Sequence, residues 1–179
     1  MIMPADRPFP ILSRLLHWLM ALMILAMLIV GLSMMVSPAH YAGLVSLHKP
    51  IGVAVLVLVI IRIVNRVFNR PPPLPAAMPG WQKRIALASH ILLYGLMLAM
   101  PLIGWAMLSA GNYPVEITAA FRLPALVPAD PMLHSLLRRL HTVLALVLFA
   151  TILMHIAAAL MHALIFRDGV FRSMASLRR

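Results

Sequence analysis

Four long apolar runs dominate the chain, at about residues 15–36, 47–61, 85–108 and 140–165. The second continues to position 67, with Arg62 and Arg66 near its end. Each run is close to the ~20 residues that a helix needs to cross a hydrocarbon core about 30 Å thick. In lipid every backbone N–H and C=O must be bonded within the protein, which leaves helices or a closed barrel. No run alternates apolar and polar positions with a period of two, so barrel strands are not supported. The pattern predicts an all-α integral membrane four-helix bundle. Its spans are expected at about 12–36, 47–68, 84–108 and 137–165, in a single transmembrane domain covering 1–179.

The stretches between the runs differ in character. Residues 37–46 read as a short loop. Residues 69–80 carry Pro71, Pro72, Pro73, Pro75 and Pro79 and read as a stiff, partly polyproline-like link. Residues 110–136 form the one long connection, with Gly111, Asn112, Pro114, Glu116, Pro124, Pro128, Asp130 and Pro131. A loop of this length in a small protein is expected to be functional or to cap one end of the bundle. Gly31, Gly52, Gly95 and Gly104 lie inside the apolar runs, where small residues admit a neighbouring helix or a bound group.

Composition narrows the class further. Of 179 residues 63% are hydrophobic and 11% charged, and the mean hydropathy is +0.99. Too few charges are present to cover a soluble domain of this size, and the apolar excess excludes disorder. The chain has no Cys. That removes disulfide scaffolds, thioether-attached heme and Cys-held iron–sulfur clusters.

The net charge of +11 is a topological signal. No basic face, zinc pattern or aromatic-interleaved basic strand supports nucleic acid. With the N-terminus inside, the inner side holds Arg7, Arg14, Arg62, Arg66, Arg70, Lys83, Arg84, Arg167, Arg172, Arg178 and Arg179. The outer side holds Lys49, Arg122, Arg138 and Arg139. Eleven against four predicts both termini inside, in the cytoplasm. The first run is too long for a signal-peptide core and lacks a small-residue cleavage site, so it is expected to be retained.

Histidine supplies the candidate chemistry. An imidazole inside lipid is costly and needs a reason. His17 lies near the inner end of the first span, His48 near the outer start of the second and His90 near the inner end of the third. His141 and His155 both lie on the fourth, fourteen residues apart. That is about 21 Å along a helix and just under four turns, so both face the same way. His17 falls at the depth of His155, and His48 at the depth of His141. Two imidazoles from facing helices at one depth can hold a flat macrocycle between them. The pattern therefore predicts two non-covalent b hemes with bis-histidine iron, His17 paired with His155 and His48 with His141. A zinc site would need ligands converging on one point, which these four do not.

Two alternatives stay open at the inner iron. His162 lies seven residues after His155 on the same face and replaces it if the first helix sits lower. His90 also competes for that position. If neither is a ligand, both are spare near the inner heme and suited to hydrogen-bonding a quinone carbonyl and relaying protons. Otherwise they are ordinary interfacial histidines. His40 and His134 read as solvated loop residues. Arg14, Arg62, Arg66 and Arg84 can pair with inner heme propionates, and Lys49, Arg138 and Arg139 with outer ones, beside their role in topology. Trp18, Trp81 and Trp105 read as aromatic-belt anchors. The 15 Met residues serve as soft packing.

Three segments carry a resemblance. They are Arg14-Leu15-Leu16-His17-Trp18-Leu19, then His90-Ile91-Leu92-Leu93-Tyr94 leading to Met100-Pro101-Leu102-Ile103-Gly104-Trp105, and the fourth run with His141-Thr142-Val143-Leu144-Ala145 and His155-Ile156-Ala157-Ala158-Ala159-Leu160-Met161-His162. The last continues into Phe166-Arg167-Asp168-Gly169-Val170, and Gly111-Asn112-Tyr113-Pro114 is similar to an outer-loop start. In order and spacing the chain resembles the bacterial cytochrome b561 family, diheme four-helix proteins of the inner membrane. The resemblance implies heme ligation by His17, His48, His141 and His155 and quinone or proton roles for His90 and His162. It implies electron transfer from superoxide at the outer face to ubiquinone near the inner face. An approaching anion would be drawn by Lys49, Arg122, Arg138 and Arg139, offset by Glu116 and Asp130. The alternatives are a cytochrome subunit fed by a partner dehydrogenase or soluble carrier, although no feature indicates a protein partner, and a non-redox transport module. The chain lacks the paired broken helices of many transporters.

Overall fold

The computed structural model describes residues 8–118 and 121–175. Arg7, Arg178 and Arg179, counted above among the inner-side charges, lie outside the described residues. Helix α1 (Ile11–Val36) follows Pro10, whose extended backbone suits entry to a helix. It stops at Ser37, and a single 3₁₀ turn, Pro38–His40, leads directly into α2 (Tyr41–Phe68). The loop expected over 37–46 is thus mostly helix. Nothing in Tyr41–Ser46 forces the chain out of a helix. Pro50, which cannot donate to the carbonyl four residues back, is tolerated inside α2 as membrane bundles allow.

Helix α3 (Gly80–Ala110) starts after Pro79 and also runs through an internal proline, Pro101. The long connection that follows is not irregular. It holds a two-stranded antiparallel hairpin, β1 (Val115–Thr118) and β2 (Phe121–Leu123), with Val115 opposite Leu123 and Glu116 opposite Arg122. The short β-branched and aromatic stretches suit strands, but they are too brief to register beside the four apolar runs. Bonds to α2 and α3 seat this loop on the bundle. Lys49 Nζ donates to the Pro114 carbonyl at 3.2 Å, Trp105 Nε1 to the Pro124 carbonyl at 2.9 Å, and Leu126 N–H to Ser109 Oγ at 3.1 Å.

Helix α4 (Pro131–Met161) begins six residues before the expected position 137. Its start is written in Asp130-Pro131. The Asp130 carboxylate accepts from the N–H groups of Met132 at 2.8 Å and Leu133 at 3.0 Å, and proline occupies the first turn. His134 therefore belongs to the first turn of α4, where Nδ1 donates to the Met107 carbonyl at 2.8 Å. It is not the solvated loop residue expected. His40 does sit in an exposed turn, with Nδ1 2.8 Å from Ser37 Oγ.

After Met161 the helix widens into a π turn, His162–Phe166, closed by Arg167 N–H to the His162 carbonyl at 2.9 Å. Arg167 adopts left-handed backbone, φ 52°, and the chain reverses into the short α5 (Val170–Ala175). Two bonds tie α5 back to the start of α1: Phe9 N–H to the Ser173 carbonyl at 2.9 Å and Trp18 Nε1 to the Met174 carbonyl at 3.3 Å.

The main helix contacts are α1 with α2, α2 with α3 and α3 with α4. The buried core comprises Met20, Ile24, Val55, Val59, Leu93, Leu96, Met97 and Leu148. Leu148 stands midway between His141 and His155, so this apolar core is a layer separating two histidine levels. The outward faces carry exposed large apolar residues such as Leu22, Ile29 and Leu146, as expected where lipid rather than water surrounds the bundle. All four long helices are long and apolar enough to cross a membrane. Buried Asn65 adds a polar link between α1 and α2, its Nδ2 donating to Ser13 Oγ at 2.7 Å.

Candidate functional site: two histidine pairs across the bundle

One level, expected from the charge distribution to be the outer one, is built by α2 and α4. His48 and His141 face each other with ring centroids 6.3 Å apart and planes inclined by 67°. Glycines from the other two helices lie beside them. A Cβ at Gly31 of α1 would stand 4.0 Å from His48 Cε1, and one at Gly104 of α3 only 3.2 Å from His141 Cε1. Gly104 therefore gives His141 space that no larger residue would leave free. His48 Nδ1 is buried without a hydrogen-bond partner among the described residues.

The other level, expected to be the inner one, is built by α1, α3 and α4. His17 and His155 repeat the outer geometry, with centroids 6.3 Å apart and planes inclined by 66°. His90 joins them from α3, its ring 5.6 Å from that of His155. Arg62 of α2 donates through Nη2 to His17 Nδ1 at 3.0 Å and through Nε to Tyr94 Oη at 2.9 Å. The Arg62 and Arg66 guanidinium groups lie 5.8 and 5.7 Å from the centre of the Tyr94 ring. The role of Tyr94 as the platform for two arginines depends on the packing of α2 against α3, which the motif around it does not reveal.

A test of fit follows from bond lengths. With a metal–imidazole bond of about 2.0 Å and about 1.1 Å from nitrogen to ring centre, a metal shared by two imidazoles sets their centroids about 6.2 Å apart. Both pairs meet this spacing. Among the described residues no cluster of three or more His, Asp or Glu forms a metal site of the convergent kind. The arrangement is consistent with a flat metal macrocycle between each pair. Neither α1 nor α2 packs its backbone closely along α4 among the described residues, so each ring pair meets across the bundle interior.

The arginines are equally informative. Arg14 is 7% exposed, and its Nε and Nη1 have no hydrogen-bond partner; Arg62 Nη1 has none either. The three acids among the described residues are engaged elsewhere. Glu116 pairs with Arg122 at 2.6 Å, Asp130 caps α4, and Asp168 bonds His162 at 2.6 Å. The inner arginines thus lack a carboxylate partner from the described chain.

The remaining candidates separate. His162 is drawn into its contact with Asp168 and lies 5.2 Å from the Phe166 ring, while His90 lies beside His155 as a third ring at the level of the His17–His155 pair. Lys49 is tied to the hairpin, and Arg138 lies exposed on α4 beside Arg139, Ser135 and Thr142. Trp18 is more than a belt residue, since it bonds α5 and packs its ring 5.3 Å from His17. Asp168 was missed as a site residue. Its sequence signals are its place in the family-like ending Phe166–Val170 and its being the sole acid near that end of the fourth run.

Fold and site define a multi-pass, four-helix membrane protein with paired histidines at two depths. Comparison with known proteins places it. A family model described as prokaryotic cytochrome b561 matches residues 8–176, and the chain belongs to that family. It is 30% identical over 171 residues to cytochrome b561 homolog 2 of Escherichia coli (strain K12), covering 93% of this chain and 90% of that protein. Cytochrome b561 homolog 1 of the same organism is 27% identical over 132 residues, 74% of each chain. The probable superoxide oxidase CybB of Yersinia pestis is 28% identical over 164 residues, 91% of this chain and 93% of that one. Membership links the chain to b561-type electron transfer and to a general redox role.

Proposed function

We propose that this chain is a diheme b-type cytochrome of the bacterial inner membrane that carries electrons from an outer-side donor, superoxide foremost, to ubiquinone near the inner side. One observation carries the reading: two histidine pairs of equal 6.3 Å spacing, set at two depths on the shared helix α4. His17 and His155 hold the inner iron, and His48 and His141 the outer one. A heme b in each pair supplies a one-electron redox centre.

The chain's own residues provide the rest. The apolar layer around Val59 and Leu148 keeps water from between the two levels. Arg14 and Arg62 present unpartnered nitrogens to the acidic groups of the inner heme. Lys49, Arg138 and Arg139 give the outer face its free positive charge, because Arg122 is already neutralised by Glu116. His90 and His162 serve quinone binding and proton delivery at the inner end. The excess of Lys and Arg on one side sets both termini in the cytoplasm. The name of the Yersinia pestis relative favours superoxide as donor. A protein donor is the second reading, favoured by the exposed rings of Tyr113 and Phe121 on the outer loop.

The test is spectroscopic. Purified protein should give a pyridine hemochrome stoichiometry near two per chain. Superoxide should reduce the hemes, and added ubiquinone should reoxidise them. Protein without heme would end the reading. Hemes that ignore superoxide yet accept electrons from a soluble carrier would move it to the second donor class.

A further inference from the structure

His162 and Asp168 are six positions apart, a separation at which an uninterrupted α-helix would not bring two side chains together. Six residues rotate by about 600° and rise about 9 Å, leaving them on different faces. The protein brings them together by breaking the helix. The π turn His162–Phe166 widens the last turn, Arg167 takes the left-handed conformation at φ 52°, and the chain folds back. His162 Nδ1 then donates to Asp168 Oδ2 at 2.6 Å. A non-glycine residue in left-handed backbone costs free energy, and π turns concentrate at functional sites. The same carboxylate accepts from Val170 N–H through Oδ1 at 3.2 Å and so caps α5.

The pair sits at the end of the fourth long helix. The His162 side chain is 13% exposed and that of Asp168 22%, so both partners are largely enclosed by the protein. Asp168 is also the one acid among the described residues at this end of the bundle; Glu116 and Asp130 belong to the opposite end. A carboxylate that accepts at Nδ1 fixes the ring's tautomer and leaves Nε2 as the nitrogen that exchanges a proton.

We propose that Asp168 is the positioning residue of a His162–Asp168 dyad that delivers one of the two protons needed when a quinone is reduced to quinol. This rests on the quinone reading above. In the step, the Nε2–H bond of the protonated His162 breaks and an O–H bond forms at a quinone oxygen. Nδ1 keeps its hydrogen on Asp168, and the ring passes from cation to neutral. The two electrons come from the outer-side one-electron donor, and the second proton from water. A proton from the inner aqueous phase then restores the ring.

Asp168→Asn is the discriminating variant. An asparagine oxygen still accepts from Val170 N–H, so the α5 cap survives while the anionic partner of Nδ1 is lost. The expected kinetic result, with superoxide as donor and ubiquinone as acceptor, is a fall in kcat of about tenfold or more with KM for quinone little changed. Both hemes should remain. The second readout does not depend on turnover. In the ¹⁵N spectrum of histidine-labelled, reduced protein, with His162 assigned by His162→Gln, the wild-type ring should be the Nδ1–H tautomer and D168N should shift it towards Nε2–H. A D168N protein with unchanged kcat, or with a raised KM alone, overturns the proposal. If the variant does not assemble, a wild-type His162 in the Nε2–H tautomer overturns it. Wild-type protein that reduces no quinone removes the functional reading instead, while the tautomer still reports on the dyad.

Discussion

Replacing Gly104 by alanine adds one methyl group and should selectively weaken the outer histidine pair. The new Cβ would stand 3.2 Å from His141 Cε1 and 3.6 Å from its Nδ1. Carbon atoms prefer about 3.5–4.0 Å, so the ring must retreat by about 0.4 Å. Overpacking of this kind costs about 1–3 kcal/mol. Removing a glycine from a helix interior returns about 0.5–1 kcal/mol. The net is a loss of up to about 2.5 kcal/mol, felt at His141. A loss of about 1.4 kcal/mol in heme binding lowers affinity about tenfold. Gly31→Ala is the matched control, because its Cβ would stand 4.0 Å from His48 Cε1, an ordinary contact. It should keep the helix gain without the crowding. The assay is heme retention against a heme-scavenging protein in detergent, with denaturant unfolding of the same samples. Gly104→Ala should release one heme faster than wild type, and Gly31→Ala should not. The reasoning is refuted if the two variants behave alike, or if Gly104→Ala loses the inner heme instead.

Single alanine replacements should separate the two levels: His48→Ala or His141→Ala removes the outer heme and His17→Ala or His155→Ala the inner one, each lowering the hemochrome stoichiometry from two to one, whereas His90→Ala keeps both. Glu116→Gln should release Arg122 from its 2.6 Å partner, raise the rate at which superoxide reduces the protein, and make that rate fall more steeply with salt in stopped-flow measurements. A double-mutant cycle on Ser13→Ala and Asn65→Ala should return a coupling of about 0.6 kcal/mol in detergent unfolding, the usual size of an interhelical hydrogen bond in a membrane protein.

The comparison of sequence with structure divides along the range of the interactions. The four long helices were legible because lipid imposes a length and an apolar character that any run of about 20 residues displays. Helix ends were less legible. Asp130-Pro131 is a local helix-start signal set within a Pro-rich stretch of loop composition, and Tyr41–Ser46 opens α2 although its small and polar residues suit a loop equally well. The hairpin Val115–Leu123 was not foreseen, since strands of three and four residues leave little pattern and depend on the seat that Lys49, Trp105 and Ser109 provide.

The sequence by itself determined the membrane class, the helical architecture and the two levels of histidine, because helix period and hydropathy are properties of consecutive residues. The tertiary structure decided which rings meet. It set His17 against His155 and His48 against His141 at one common spacing, gave His90 to the inner level, and joined His162 to Asp168 through a broken helix end. It also settled which charges are spent, pairing Arg122 with Glu116 and leaving Arg14 without a hydrogen-bond partner for Nε or Nη1. Partner choice of this kind depends on where helices distant in sequence come to rest against one another, and the spacing of residues along a single helix does not contain that distance.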